Sequence, residues 1–338
     1  MKKLNEACDK AQEALWKYFW NEEKQYLNQR YPALADDKFM YWWQAHAIDV
    51  LLDGYLRTDS PVYKERLRLL ISGTWKENGS TFIHNWVDDM EWFALALLRL
   101  WDVTKDEECL KQVNLIWDDI KTAWNDAMGG GIAWQKKQLD YKNTPANAPA
   151  AIIAFRLYRR FGRREDLEWG ERIYRWLYEH LVDKETGFVW DGMNRLGDGK
   201  IDFDWEFTYC QGVFMQAAME YYHITGDVSY KEAAVRTFKE AQRRLAGKNN
   251  GIFPYEGPDD CGLFRGILLR YSYELFKDCP ELETIKDTLI QNAEEIIQNG
   301  QRDDGLIGPD WSRTDAEVID MAQHLSGIMA LEMAAKCL

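Results

Sequence analysis

Apolar residues recur at intervals of three and four positions through most of the chain, which is the spacing that puts them on one face of an α-helix. Strict alternation of apolar and polar residues, the mark of half-buried strands, is hard to find. The pattern predicts about twelve helices. They fall near 3–20, 40–57, 61–77, 88–102, 106–125, 146–161, 163–182, 208–223, 227–244, 261–276, 281–299 and 316–335.

The even-numbered predicted helices are more apolar and richer in small residues than the odd-numbered ones, as at 92–98 and 148–155. A helix buried on most sides loses its polar face, so the even helices are predicted to form an inner ring and the odd helices an outer ring. Similar polar corners follow inner helices at 58–63 and 225–230, and they recur at a helical-hairpin period.

We therefore predict an all-α chain, an (α/α)6 toroid of six helical hairpins that forms a single domain over 1–338. An open α-solenoid is the alternative, and it would leave the two terminal hairpins apart. In the closed toroid the six inner helices run parallel. Their N-termini, and the long loops that precede them, then gather on one face. These long loops are rich in Trp, Tyr, Gly, Asn and Asp, so we expect the functional site on that face.

Composition limits the kinds of ligand. The chain has 338 residues with a net charge of −14, which repels nucleic-acid phosphates and anionic membranes. No apolar run is long enough to cross a bilayer, and the sequence opens on an amphipathic pattern with no signal-peptide core, so we expect a cytoplasmic protein without a membrane partner. Five histidines show no metal spacing and no phosphate-binding or dinucleotide motif appears, so no cofactor and no metal are expected. A neutral ligand such as a sugar suits this chain.

Two adjacent acids, Asp88 and Asp89, open an inner helix between Trp86 and Trp92. Glycosidic bonds are broken by a pair of carboxyl groups, and burial beside Trp or exposure to backbone N–H groups can give neighbouring carboxyls different protonation states. An Asp at a helix start is more often only a cap. Four further pairs compete with this one: Asp36–Asp37, Asp118–Asp119, Asp259–Asp260 and Asp303–Asp304. The aromatic bracket favours Asp88 and Asp89.

The other long loops contain what a sugar cleft needs. Segments 129–134, 141–147, 187–192 and 208–212 combine indole and phenol rings with amides and glycines. Sugar rings stack on aromatic faces, and amide groups can hydrogen-bond to their hydroxyls. The competing interpretation of each aromatic residue is that it fills a loop core.

At these positions the chain resembles glycoside hydrolase family 76, the α-1,6-mannanases with an (α/α)6 fold. The matching segments are 42–44, 85–92, 131–134, 141–143 with Asn147, 190–192, 209–212 and 264–266. The resemblance implies a retaining enzyme that cleaves α-mannosidic bonds, expected to be α-1,6 and endo, through a covalent intermediate with Asp88 as nucleophile and Asp89 as acid/base. The partner would be an α-mannoside oligosaccharide or polysaccharide.

The same resemblance implies a set of substrate-binding residues. They are Asn85, Trp134, Asn143, Asn147, Asp191, Tyr209, Gln211 and Arg265. Cys210 departs from the family pattern, in which an Asn is expected. Two alternatives stay open: the same architecture with another chemistry, either an inverting hydrolase or a sugar epimerase that uses histidines, or a catalytically silent carbohydrate-binding protein.

Overall fold

The structure is a computed structural model, and it describes residues 1–338 apart from the side chain of Lys248. The described residues form twelve α-helices and seven short β-strands. The helices are α1 (Lys2–Phe19), α2 (Tyr41–Thr58), α3 (Val62–Glu77), α4 (Val87–Thr104), α5 (Glu107–Lys121), α6 (Thr144–Phe161), α7 (Arg164–Leu181), α8 (Thr208–Thr225), α9 (Val228–Ala241), α10 (Cys261–Asp278), α11 (Glu283–Glu295) and α12 (Met321–Lys336). The strands are β1 (Trp20–Asn21), β2 (Tyr26–Leu27), β3 (Arg30–Tyr31), β4 (Ala133–Gln135), β5 (Gln138–Asn143), β6 (Gly192–Met193) and β7 (Ile319–Asp320).

The chain divides into two compact units. The first unit comprises residues 1–81 and 246–338 and contains α1–α3 and α10–α12, while the second comprises residues 82–245 and contains α4–α9. The single domain over 1–338 stays a prediction. Within the described residues, none of the helices has the length and apolar character needed to cross a bilayer.

The predicted helices are confirmed in number and order, and most of their ends agree within a few residues. The main difference is α12, which begins at Met321 and not near 316. Asp320 and Gln323 form a capping box there, each side chain bonded to the other residue's backbone N–H, and this arrangement fixes the first turn of the helix.

The contrast between even and odd helices is also confirmed. In α8 every residue from Thr208 to Glu220 is buried, whereas α7 buries one side and exposes charged residues on the other. The even helices α2, α4, α6, α8, α10 and α12 are called inner helices from here on. Their Ala, Leu and Ile content reflects burial on nearly all sides.

The first and last helices of the chain are in contact, which excludes the open solenoid. Within the first unit, Gln12 of α1 donates to Glu332 of α12 at 3.0 Å. His324 of α12 lies 3.0 Å from the backbone oxygen of Ala11. The terminal hairpins therefore meet, as a closed helical array requires.

Three small antiparallel sheets, which sequence periodicity did not predict, sit in the loops. They pair β1 with β2, β3 with β7, and β4 with β5 with β6. In the third sheet, Lys142 and Asn143 of β5 pair with Met193 and Gly192 of β6. Most of these strands are two or three residues long, too short for alternation to be legible in the sequence.

Four of the inner helices carry a polar side chain at their fourth residue that bonds the backbone of the preceding loop. Each of these side chains accepts a loop N–H at 2.8 to 3.1 Å. The pairs are Gln44 with Leu27, Asn147 with Ile132, Gln211 with Val189 and His324 with Ile307. The three amides also donate to the carbonyl of the same loop residue at 2.7 to 3.0 Å, as a neighbouring strand would. We call these four residues the loop clamps.

A cluster of one buried carboxylate and two guanidinium groups joins α6 and α8 near their C-terminal ends. Glu220 of α8 accepts from Arg156 and Arg159 of α6 at 2.6 Å each, and its side chain is only 4% exposed. Although burial opposes ionisation, the two guanidinium groups outweigh it and hold the pKa of Glu220 at about 2. Removing one member of such a set leaves a buried charge without its partner.

We predict that Glu220→Gln lowers the free energy of unfolding by about 3 kcal/mol, because Arg156 and Arg159 lose the buried counter-charge that they share. Urea unfolding followed by circular dichroism measures this change. Glu168→Gln is the matched control, since Glu168 pairs with Arg164 on the surface of α7 with 63% of its side chain exposed. The control should cost less than about 0.5 kcal/mol.

The same pair predicts a pH dependence. Because the pKa of Glu220 is lowered on folding from 4.5 to about 2, its contribution is complete above pH 4.5 and is lost as the pH falls toward 2. The difference in stability between wild type and Glu220→Gln should therefore shrink between pH 6 and pH 3. A constant difference over that range would contradict the assignment.

Candidate active site

The acid pair lies in the first turn of α4. Trp86 occupies the cap position in an extended conformation, and Val87 is buried at the first helical residue. Asp88 and Asp89 follow it, so neither of them is the cap. The exposed N–H groups and partial positive charge of a helix N-terminus favour carboxylates at these positions.

Asp88 receives two N–H groups. The indole Nε1–H of Trp134 donates to Oδ2 at 3.0 Å, and the backbone N–H of Asp89 donates to Oδ1 at 3.0 Å. Hydrogen bonds to a carboxylate stabilise its charged form. Asp88 is therefore in surroundings suited to an ionised carboxylate.

Asp89 has a different neighbour. Its Oδ2 lies 3.2 Å from Nδ1 of His84, and both side chains are partly exposed to solvent. Burial, and then the charge of Lys136, lower the pKa of His84 below its usual value. The imidazole is therefore neutral at neutral pH and does not act as a cation toward Asp89.

A third carboxyl group, which sequence reasoning missed, lies one turn further along α4. Glu91 is fully buried, and burial, followed by the charge of Asp88, raises its pKa well above the usual value. Burial therefore favours its protonated form, which adds no negative charge beside the pair. The spacing of three residues from Asp88 is the sequence signal that could have pointed to it.

Trp134 is positioned by its hairpin, β4–β5, which is tied to the start of α4. Asn85 donates to Gln135 at 2.9 Å, and its carbonyl accepts the backbone N–H of Lys136 at 3.0 Å. The Asn147 clamp holds Ile132, two residues before Trp134. These bonds place the indole N–H against Asp88.

The preceding turn requires glycine. Gly131 has φ +87°, and a Cβ added there would lie 2.8 Å from the ring of Trp176. Its carbonyl accepts from Nζ of the fully buried Lys142 at 2.7 Å. Burial lowers the pKa of Lys142 to about 8. Lys142 therefore holds the turn that precedes Trp134.

Asp191 is the centre of a buried network of hydrogen bonds. Tyr141 donates to Oδ2 at 3.0 Å, Tyr209 donates to Oδ1 at 2.9 Å, and the thiol of Cys210 lies 3.5 Å from Oδ1. The pKa of Asp191 lies above its usual value, because burial raises it by more than these three donors lower it. Cys210 thus supplies a weak donor to Asp191, which is how this chain accommodates its departure from the expected Asn.

This network reaches Trp134 through one aromatic contact. The rings of Tyr141 and Trp134 meet edge to face, with their centroids 5.6 Å apart. Asn85, Trp134, Tyr209 and Asp191 are thus linked to the acid pair by continuous contacts. Asp191 and Tyr209 are themselves buried.

Three of the predicted substrate-binding amides have structural partners. Asn147 and Gln211 are loop clamps, fully buried and bonded to backbone groups. Asn143 caps α6, accepting the backbone N–H of Ala146 at 3.3 Å. Asn147 and Gln211 thus position loop backbone, and their role as substrate-binding residues stays a prediction.

Arg265 belongs to the first unit. Its guanidinium stacks on Trp311 at 3.5 Å and donates to the backbone oxygens of Phe253 and Pro309. It is buried, and burial lowers its pKa to about 9. These contacts show Arg265 holding two loop segments together, and its role toward a ligand stays a prediction.

The sequence profile described as "Glycosyl hydrolase family 76" matches residues 3–336, which is nearly the whole chain. The chain belongs to this family. It is therefore a glycoside hydrolase, as the residues around Asp88 and Asp89 predicted. Mannan endo-1,6-alpha-mannosidase DCW1 of Candida glabrata is 26% identical over 307 residues, which cover 81% of this chain and 68% of that protein. The protein of the same name from Saccharomyces cerevisiae is 26% identical over 55% of this chain and 46% of its own length.

Solved structures agree with this assignment. The GH76A alpha-1,6-mannanase from Salegentibacter sp. HEL1_6 is 34% identical with a TM-score of 0.94, covering 99% of this chain and 100% of that one. The Lin0763 protein from Listeria innocua is 39% identical with a TM-score of 0.93, covering 98% and 97%. These matches confirm the predicted all-α, (α/α)6 fold.

We predict that Trp134→Phe lowers the rate of glycoside hydrolysis about tenfold to a hundredfold, because Asp88 loses a hydrogen bond to a charged group worth about 1.5–3 kcal/mol. The aromatic ring and its contact with Tyr141 remain in this variant. Steady-state kinetics on α-1,6-mannotetraose measures the effect. Trp101→Phe, at the other end of α4, is the control and should retain wild-type rates.

Proposed function

We propose that the protein is a retaining, endo-acting α-1,6-mannanase in which Asp88 is the nucleophile and Asp89 the acid/base. The observation that carries the proposal is the unequal surroundings of two adjacent carboxyl groups. Asp88 receives two N–H donors, whereas Asp89 lies beside a neutral imidazole. Retention needs one carboxylate that attacks carbon and one carboxyl that holds a proton.

In the first step, Asp88 forms a bond to the anomeric carbon while the bond from that carbon to the glycosidic oxygen breaks. Asp89 gives its proton to the departing oxygen. In the second step, Asp89, now a carboxylate, takes a proton from water as the water oxygen attacks the same carbon. The bond to Asp88 then breaks, which releases the sugar with its original anomeric configuration.

The mannan substrate is supported by the relatives. The Salegentibacter family member is described as an alpha-1,6-mannanase, and a variant described as inactive, with two consecutive aspartates replaced by asparagine, was solved with alpha-1,6-mannotriose. That structure is 33% identical to this chain, with a TM-score of 0.94. The fungal relatives are named mannan endo-1,6-alpha-mannosidases. Asp88 and Asp89 are the consecutive aspartates that this proposal places in the same role.

Asp88→Asn and Asp89→Asn should each lower the hydrolysis of α-1,6-mannotetraose by about a hundredfold to ten-thousandfold, because each removes one carboxyl group from the two-step reaction. Product release is followed by chromatography. Asp118→Asn is the control, since Asp118 also belongs to an adjacent acid pair but its side chain on α5 is 71% exposed. Near-normal rates in either active-site variant would remove the assignment.

Three further measurements test the stereochemistry, the cleavage mode and whether the protein is catalytic. NMR of the first-formed product should show the α-anomer, and the β-anomer would indicate an inverting hydrolase instead. Early accumulation of intermediate-sized fragments from a long α-1,6-mannan indicates endo cleavage, whereas release of only mono- or disaccharide would contradict it. Binding of the oligosaccharide without any product would indicate a silent carbohydrate-binding protein.

A further inference from the structure

His84 stands out among the residues around the acid pair because the two-step reaction above assigns it no task. It precedes α4 in the chain, and its Nδ1 lies 3.2 Å from Oδ2 of Asp89. The ring packs against Trp86 with their centroids 5.3 Å apart. Nδ1 is shielded from solvent, and its approach to Oδ2 does not have the alignment of a formed hydrogen bond in this structure. Such contacts often tighten when substrate binds.

Burial of the imidazole favours its neutral form, and the positive charge of Lys136 adds to this effect. Asp89 approaches from α4, and Lys136 approaches from the turn between β4 and β5. Lys136 is in turn paired with Asp119 of α5 at 2.6 Å. The positive charge of Lys136 disfavours a second cation at His84, so the ring faces Asp89 without neutralising it.

A neutral donor suits an acid/base residue better than a cation does. Oδ2 of Asp89 can accept an N–H whether the carboxyl group is protonated or ionised, so the contact is compatible with both states of the catalytic cycle. An imidazolium or an arginine at this position would stabilise the carboxylate and weaken Asp89 as an acid. A bond to Oδ2 also fixes the rotation of the carboxyl group, with the transferable proton on Oδ1.

We propose that His84 is a positioning residue for Asp89, holding Oδ2 as a neutral donor so that Oδ1 presents its proton to the glycosidic oxygen. The inference rests on the proposed function, because it requires Asp89 to be the acid/base. His84 is not a catalytic residue in this scheme, since it acts only through Asp89. Its effect should appear where proton donation matters and vanish where it does not.

The test compares two substrates that differ in their need for a proton. The leaving group of α-1,6-mannotetraose must be protonated as it departs, whereas the leaving group of a 2,4-dinitrophenyl α-1,6-mannobioside departs without a proton. The value of kcat/KM reports the steps through the first bond cleavage for both substrates. A variant that mispositions the acid should therefore lower kcat/KM for the first substrate only.

His84→Phe keeps a ring against Trp86 but removes the donor, and His84→Asn returns an N–H near the position of Nδ1. We expect His84→Phe to lower kcat/KM about tenfold to a hundredfold for the tetraose, and less than about threefold for the dinitrophenyl substrate. His84→Asn should recover most of the loss. His180→Phe is the matched control, because His180 also stacks on a tryptophan, Trp176, at 5.0 Å, and it should leave both values unchanged.

Equal losses on both substrates, or no loss on either, would overturn the proposal for His84. Asp89→Asn is measured in parallel on the same two substrates. If Asp89→Asn shows the strong leaving-group dependence and His84→Phe does not, the proposal for His84 fails and the proposed function stands. If Asp89→Asn shows no such dependence, the acid/base assignment fails and the role of His84 fails with it.

Discussion

The long loops that precede four of the inner helices depend on hydrogen bonds between their backbones and the loop clamps, the buried side chains at the fourth residue of those helices. A long loop next to a helical core carries backbone N–H and C=O groups that need partners. Asn147 and Gln211 supply both a donor and an acceptor to one loop residue each, Ile132 and Val189. Trp134 and Asp191 each lie two residues after a clamped position. These two clamps thus hold the loop segments that carry Trp134 and Asp191.

This arrangement changes how polar residues in the family's motifs are interpreted. A buried amide beside an active site can serve the backbone instead of the ligand, and the deciding evidence is whether its polar atoms are already bonded and shielded from solvent. Asn147 and Gln211 meet both conditions. Arg265 shows a related behaviour in the first unit, where its donors bond loop carbonyls and its plane stacks on Trp311. Buried polar side chains therefore hold these loops.

The acid pair places two identical side chains in different surroundings at neighbouring positions. Both lie in the first turn of α4, so the helix N-terminus affects them alike. The difference comes from other segments: the indole of Trp134 donates to Asp88, and the neutral ring of His84 faces Asp89. Glu91 lies one turn away, and because burial keeps it protonated it adds no repulsion. Contacts from two different loops thus give the two carboxyl groups different surroundings.

The helices, their inner and outer character and the position of the acid pair at a helix start could be predicted from the sequence, because helical periodicity and local motifs depend on residues close together in the chain. The family resemblance also follows from local segments in order. Only the tertiary structure decided which polar residues act as loop clamps, that His84 faces Asp89, that Cys210 donates to Asp191, and that Glu91 is buried beside Asp88. Most of these contacts join different segments of the chain, and no periodicity records which side chain reaches which partner. Burial of Glu91 depends likewise on the packing around α4, which its spacing from Asp88 does not reveal.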